Sequence, residues 1–133
     1  MSRPCPIAIN CETAPKPVGP YSQAVSAGQF VFLSGQIGLD PATGELVPGG
    51  TAEESRRVIA NIRAILQAAE LDLGHVVRMD IYLTNLNDFA AMNEIYASAF
   101  TGYPLPARQT VEVSRLPKGA SVEISAIACR ETV

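Results

Sequence analysis

Residues 76–84 alternate strictly. Val77, Met79, Ile81 and Leu83 fall on one side and Arg78, Asp80, Tyr82 and Thr84 on the other, the two-residue period of a strand. The stretch before it has a different period. Val58, Ile59, Ile62, Ile65, Leu66 and Ala69 recur three and four apart, which predicts an amphipathic helix beginning near Thr51 and ending at Leu73-Gly74. Thr51 followed by Glu54 has the spacing of a capping box. A second helix carries Phe89, Met92, Tyr96, Ala99 and Phe100 on its apolar face, with Asn85 or Asn87 as the cap. Residues 21–26 and 29–37 read as strands broken at Ala27-Gly28, and 107–114 and 121–129 as strands parted by Leu116-Pro117-Lys118-Gly119. Asp40-Pro41-Ala42-Thr43-Gly44 is a turn, because Pro presets φ and Gly tolerates a positive one. Five prolines in the first twenty residues predict an extended arm.

The order is therefore ββ(β)αβαββ, an α+β chain whose two helices suffice for one face of a five- or six-stranded sheet. Phe30-Val31-Phe32-Leu33 is apolar on both faces, and Ile127 and Cys129 make the second face of the last strand apolar as well. Strands of this kind need cover on both sides. A second copy of the chain or the N-terminal arm would supply it, and the pattern favours an oligomer.

At 133 residues, 47% apolar and 17% charged, the chain is expected to form a single domain over residues 1–133. No apolar run approaches the roughly 18 residues that span a bilayer. The first ten residues do not read as a signal peptide. Three widely spaced cysteines without a CxxC motif fit a reducing cytoplasm better than a disulfide scaffold. A net charge of −3 argues against a nucleic-acid partner. His75 is the only histidine; with scattered cysteines it makes no recognisable zinc set and offers little for a Ser–His–Asp triad. GxGxxG and GxxxxGK[ST] are both absent, so nucleotide binding lacks its usual signals.

Candidate chemistry concentrates in the last two strands. Arg108, Thr110 and Glu112 share one strand face, and Glu123 lies between Val122 and Ile124. A buried Arg or Glu needs a partner. The two residues either pair with each other or sit at a sheet edge, or Arg108 grips a ligand carboxylate with its planar fork while Glu123 handles protons or orients water. A direct hairpin centred between Arg115 and Leu116 would place Arg108 opposite Glu123, whereas a connection that crosses another strand would not. Gly19-Pro20-Tyr21-Ser22 presents a phenol after a constrained turn, and Ser34-Gly35-Gln36 ends an apolar strand with residues that let a ligand approach the backbone. Asn93 lies within the second helix, and Cys129 reads as a small core residue.

Taken together these segments resemble the RidA/YjgF family of reactive enamine/imine deaminases, over nearly the whole chain. The pieces are Gly19-Pro20-Tyr21-Ser22-Gln23-Ala24, Ser34-Gly35-Gln36-Ile37, Asp40-Pro41, Thr43-Gly44, Asn61, Asn87-Asp88-Phe89 through Asn93 and Tyr96, Pro106-Ala107-Arg108, Leu116-Pro117 and Val122-Glu123-Ile124. The resemblance implies a chorismate-mutase-like mixed sheet in a homotrimer, with clefts between subunits and the last strand inserted into the sheet. That insertion counts against the direct hairpin. It implies that Arg108 holds a substrate carboxylate, that Glu123 serves the catalytic water, and that Tyr21, Ser34, Gly35, Asn93 and Thr110 line the cleft. No cofactor is implied. The substrate would be a small imino or enamino acid such as 2-aminoacrylate, hydrolysed to a 2-keto acid and ammonia. Thr110 stands where many members have Cys, which removes thiol-based regulation, and Glu70 stands where Gly commonly ends the first helix. The competing readings are a carboxylate-binding regulatory module without turnover, an endoribonuclease or translation inhibitor, and a holdase-like chaperone. The acidic balance and single histidine weigh against the nuclease.

Overall fold

A computed structural model describes residue 2 and residues 4–131; residues 1, 3, 132 and 133, the ends of the arm and of the chain, lie outside it. The strands are β1 (Ile7–Ile9), β2 (Ala24–Ala27), β3 (Phe30–Gln36), β4 (Val76–Leu83), β5 (Ala107–Glu112) and β6 (Val122–Cys129), and the helices are α1 (Gly50–Ala68) and α2 (Phe89–Ala99). The strands form one sheet in the order β1-β2-β3-β6-β4-β5, antiparallel throughout except for the β4–β5 pair.

Both helices pack on the same face. Val31, Leu33, Met79, Ile81, Leu83, Val122, Ile124, Ala126 and Ala128 point from the sheet into one core with Val58, Ile62, Ile65 and Leu66 of α1 and Met92, Tyr96 and Phe100 of α2. The last strand takes a central position for a visible reason. All four of its core-facing residues are fully buried and the four between them are half-buried. β5 exposes Ala107, Gln109 and Glu112 and suits an edge.

This insertion overturns the hairpin that would set Arg108 opposite Glu123. Arg108 aligns with Met79 across the parallel pair, Glu123 aligns with Tyr82, and β4 runs between the two strands. The arm is also more than extended chain, since Ile7–Ile9 adds an edge strand to β2. It therefore widens the sheet and leaves part of the second face uncovered: Phe30 and Phe32 are 38% and 41% exposed.

Three local expectations fail for physical reasons. Thr51 and Glu54 do not cap α1, which begins after Gly49 in a left-handed conformation (φ 110). The Thr51 hydroxyl lies 2.9 Å from both Asp88 Oδ2 and Ser121 Oγ, and Glu54 Oε1 accepts the Ser121 N–H at 2.8 Å. The pair thus ties α1 to the start of α2 and to the loop before β6. In β4, a bulge between Val76 and Arg78 turns Val77 outward and gives its core place to Val76. The second helix starts one turn after its expected cap: Asn85 Oδ1 accepts from the Asn87 N–H and caps a short 3-10 turn that leads into α2. No helix among the described residues is long and apolar enough to cross a membrane.

Candidate active site

The expected residues divide into two groups on opposite faces of the sheet. Glu123 points away from the helices, because its neighbours Val122 and Ile124 face the core. A bulge in β3 brings Gly35 to it. Between the pairs Leu33–Ala126 and Gln36–Ile124, the two residues Ser34 and Gly35 oppose Ser125 alone. Gly35 then packs so tightly that a Cβ there would lie 2.9 Å from Glu123 Cδ. A side chain at this position would have to displace the carboxylate. Together with Pro17, Tyr21 and Pro117 the two residues line a small cavity of about 50 Å³.

The arm completes that side. Gln23, itself buried, accepts the Cys11 N–H on Oε1 at 2.6 Å and donates from Nε2 to the carbonyls of Cys11 and Pro15, both at 2.9 Å. Ser34 Oγ donates to the Ser22 carbonyl at 2.6 Å. These bonds hold the backbone on both sides of Tyr21, whose phenol oxygen accepts from the Val18 N–H at 3.2 Å. The Ser34 hydroxyl hydrogen is thereby engaged within the chain, leaving its oxygen as an acceptor. Burial pushes the Glu123 carboxyl above the usual carboxylate range.

The second group gathers around Arg108. In the parallel register Arg108 and Thr110 sit beside Met79 and Ile81, so they face the helices. The Arg108 guanidinium carbon lies 4.8 Å from the centroid of the Tyr96 ring and 5.5 Å from that of Phe89. Among the described residues it has no carboxylate partner. Asn93 Oδ1, Tyr96 Oη and Thr110 Oγ1 are buried without any hydrogen-bond partner. Burial raises the Tyr96 phenol above its ordinary pKa, and the nearby Arg108 charge partly opposes the rise. An arginine with no carboxylate partner among the described residues, on a face that also buries unsatisfied polar oxygens, is a costly arrangement for a chain to keep for stability alone.

Tyr21, Ser34, Gly35 and Glu123 therefore come together, as do Asn93, Thr110 and Arg108, but one chain does not join the groups. Phe89 and Tyr96 as neighbours of Arg108 escaped the sequence reading as functional residues. Both belong to the segment that carries the family resemblance and to the apolar face of the second helix, and their seven-residue separation, two helical turns, places them on one line of that face. The described residues contain no group of three or more His, Cys, Asp and Glu that would hold a metal ion. Cys5, Cys11 and Cys129 are all unpaired.

A six-stranded mixed sheet with its last strand inserted between the third and fourth, and with two helices on one face, defines an α+β protein of the RidA type. The chain belongs to the YjgF/RidA family: the family model described as Endoribonuclease L-PSP matches residues 11–130. A RutC family protein of Pyrococcus horikoshii is 55% identical over 92% of this chain and 97% of its own. The mouse protein named 2-iminobutanoate/2-iminopropanoate deaminase is 48% identical over 90% of this chain and 88% of its own. Among solved structures, Escherichia coli TdcF with bound serine superposes with a TM-score of 0.91 at 42% identity, covering 94% of this chain and 99% of that one.

Proposed function

We propose that this protein is a cofactor-independent 2-iminobutanoate/2-iminopropanoate deaminase, and that its active site forms between copies in a homotrimer. The observation that carries the reading is the separation of Arg108, with its donors unclaimed by any carboxylate, from the half-buried Glu123 on the far face of the same sheet. Each is half of a site. The exposed apolar row of Phe30, Phe32 and the half-buried Ile127 supports assembly, because another copy would cover it. The mammalian relatives support the reaction class.

The chemistry follows from the two groups. An enamine such as 2-aminoacrylate tautomerises to the 2-imino acid, whose carboxylate takes two parallel hydrogen bonds from Arg108. That fixes the imine carbon against the Glu123 side of the neighbouring copy. Glu123 accepts a proton from water as the water oxygen bonds to the imine carbon. The carboxyl returns that proton to the nitrogen, which completes the carbinolamine. On collapse Glu123 takes the hydroxyl proton as the carbonyl forms and passes it to the nitrogen, the carbon–nitrogen bond breaks, ammonia leaves and the 2-keto acid remains. A carboxyl raised by burial is better suited than an ordinary one to both accepting and returning a proton. The cavity beside Glu123, about 50 Å³, suits a small substrate.

The test is a coupled assay in which a pyridoxal-phosphate dehydratase generates the enamine and keto-acid release is timed. Release should quicken with this protein and fall back with Glu123→Gln. Binding of a 2-keto acid without any acceleration would replace the enzyme reading with a carboxylate-binding module. EDTA should leave the acceleration intact, and a loss restored by one metal ion would refute the metal-free mechanism.

A further inference from the structure

We infer that Phe89 and Tyr96 are positioning residues that hold the Arg108 guanidinium at the angle needed for carboxylate capture; this rests on the functional reading of Arg108 above. Phe89 and Tyr96 lie seven residues apart on α2, two turns along one face, with Asn93 between them. Arg108 reaches this face from β5, and its guanidinium carbon lies within cation–π distance of both rings, 5.5 and 4.8 Å. The choice of holding group matters. A carboxylate would bind the fork through the very N–H groups that a substrate needs, whereas an aromatic face attracts the charge and leaves the donors free. The described residues place no carboxylate on Arg108, and among them the two rings are what its charge contacts.

The two rings are unequal. Tyr96 is buried and its ring stacks near Phe100, centroids 4.8 Å apart, so it is the fixed wall. Phe89 is the first residue of α2 and partly exposed, so it is the outer wall. A long arginine side chain otherwise loses much rotamer freedom when it engages a ligand. Rings that hold it beforehand reduce that loss, and their removal should weaken capture while leaving the hydrolytic step at Glu123 largely alone.

Two readouts test this on the full-length assembled protein. The first needs no ligand: the Arg108 side-chain Nε–Hε resonance should carry a ring-current shift that Tyr96→Phe preserves and that Tyr96→Leu or Phe89→Leu loses. The second uses 2-oxobutanoate as the probe for affinity and an enamine substrate for rates. Tyr96→Leu and Phe89→Leu should raise Kd and KM by about three- to thirtyfold with kcat changed far less, the range expected of cation–π contacts. Tyr96→Phe should rescue most of the loss. In an Arg108→Ala background the leucine substitutions should cost nothing further. Phe89→Leu, at an exposed site, keeps the test alive if Tyr96→Leu fails to fold. An unshifted resonance in the leucine variants, or a shifted one with native affinity, overturns the proposal. Equal losses for Tyr96→Phe and Tyr96→Leu overturn it as well, because the hydroxyl would then be the active part. A native protein with no affinity for 2-oxobutanoate refutes the carboxylate reading of Arg108, and the positioning role falls with it. The resonance separates that result from failure of the clamp itself.

Discussion

Arg108 and Glu123 carry different burdens, and substitutions should separate them. Arg108→Ala removes a charge-assisted pair worth about 1.5–3 kcal/mol, so kcat/KM should fall roughly ten- to hundredfold. Arg108→Lys keeps the charge without the planar fork and should restore only part of that. Stable, folded Arg108→Ala with native turnover would end the carboxylate reading. For Glu123 the pH dependence is diagnostic. If its carboxylate is the base, kcat/KM falls as acid protonates it, and because burial raises its pKa this acid limb lies above the ordinary carboxylate range. The limb should vanish in Glu123→Gln. The stability effect has a definite sign. A raised folded pKa means stability that is full below the ordinary carboxylate value and is lost as pH rises through the raised one. Glu123→Gln should therefore melt above the native protein at neutral pH, and the difference should close in acid. Gly35 offers a third handle: its substitution by Ala drives a methyl group to 2.9 Å from Glu123 Cδ. Displacing the carboxylate by that means should cost about ten- to hundredfold in kcat, with the fold retained.

At the scale of elements, α1 shows how far local pattern goes. Its apolar stripe marked the helix correctly, since Val58, Ile59, Ile62, Ile65 and Leu66 are all buried. Its start is found at Gly50, beside the expected Thr51, but its capping is not legible, because Thr51 and Glu54 bond across long sequence separations to Asp88 and Ser121 and not to the helix start; its end falls at Ala68, before the expected Leu73-Gly74. Period and burial are local properties, whereas register, bulges and strand order are not. The alternation of β4 was plain, yet the Val76–Arg78 bulge that displaces Val77 left no local mark. Likewise Arg108 and Glu123 could be chosen from the cost of burying a charge, while the strand between them was foreseen only through family likeness. The C-terminus of α1 yields a prediction. Glu70 takes a left-handed conformation (φ 63), donates its N–H to Gln67 O and is followed by Leu71 donating to Leu66 O, a Schellman arrangement built on a residue with a Cβ. Left-handed backbone costs a non-glycine residue about 1–2 kcal/mol, partly offset by glycine's larger entropy loss. Glu70→Gly should therefore stabilise the fold by about 0.5–1 kcal/mol, read as a higher denaturation midpoint with unchanged slope. A lower midpoint would show that the Glu70 side chain makes contacts outweighing the strain.

For the whole molecule, the decisive matter is that a sheet has two faces. Val122, Ile124 and the other core-facing residues commit one face to the helices, and Glu123 goes with the other. Arg108 faces α2, so no side-chain rotation within one chain brings it round the sheet to Glu123. The proposed site would then take its arginine from one copy and its carboxylate from another, which a mixing experiment can establish. Arg108→Ala and Glu123→Gln proteins, each strongly impaired alone, are unfolded together in equal amounts and reassembled. In a cyclic trimer each cleft draws its two halves from neighbouring copies, and about one cleft in four receives both intact residues, so roughly a quarter of native activity should return. If both halves came from one chain, every site would keep its own defect and no activity would return at any ratio. Sedimentation run alongside guards the interpretation. The mixed protein should travel as a trimer at micromolar concentration, and a monomer there would remove the basis for a shared cleft. Varying the ratio adds a second constraint, because recovered activity should peak at equal amounts and fall off as the product of the two fractions.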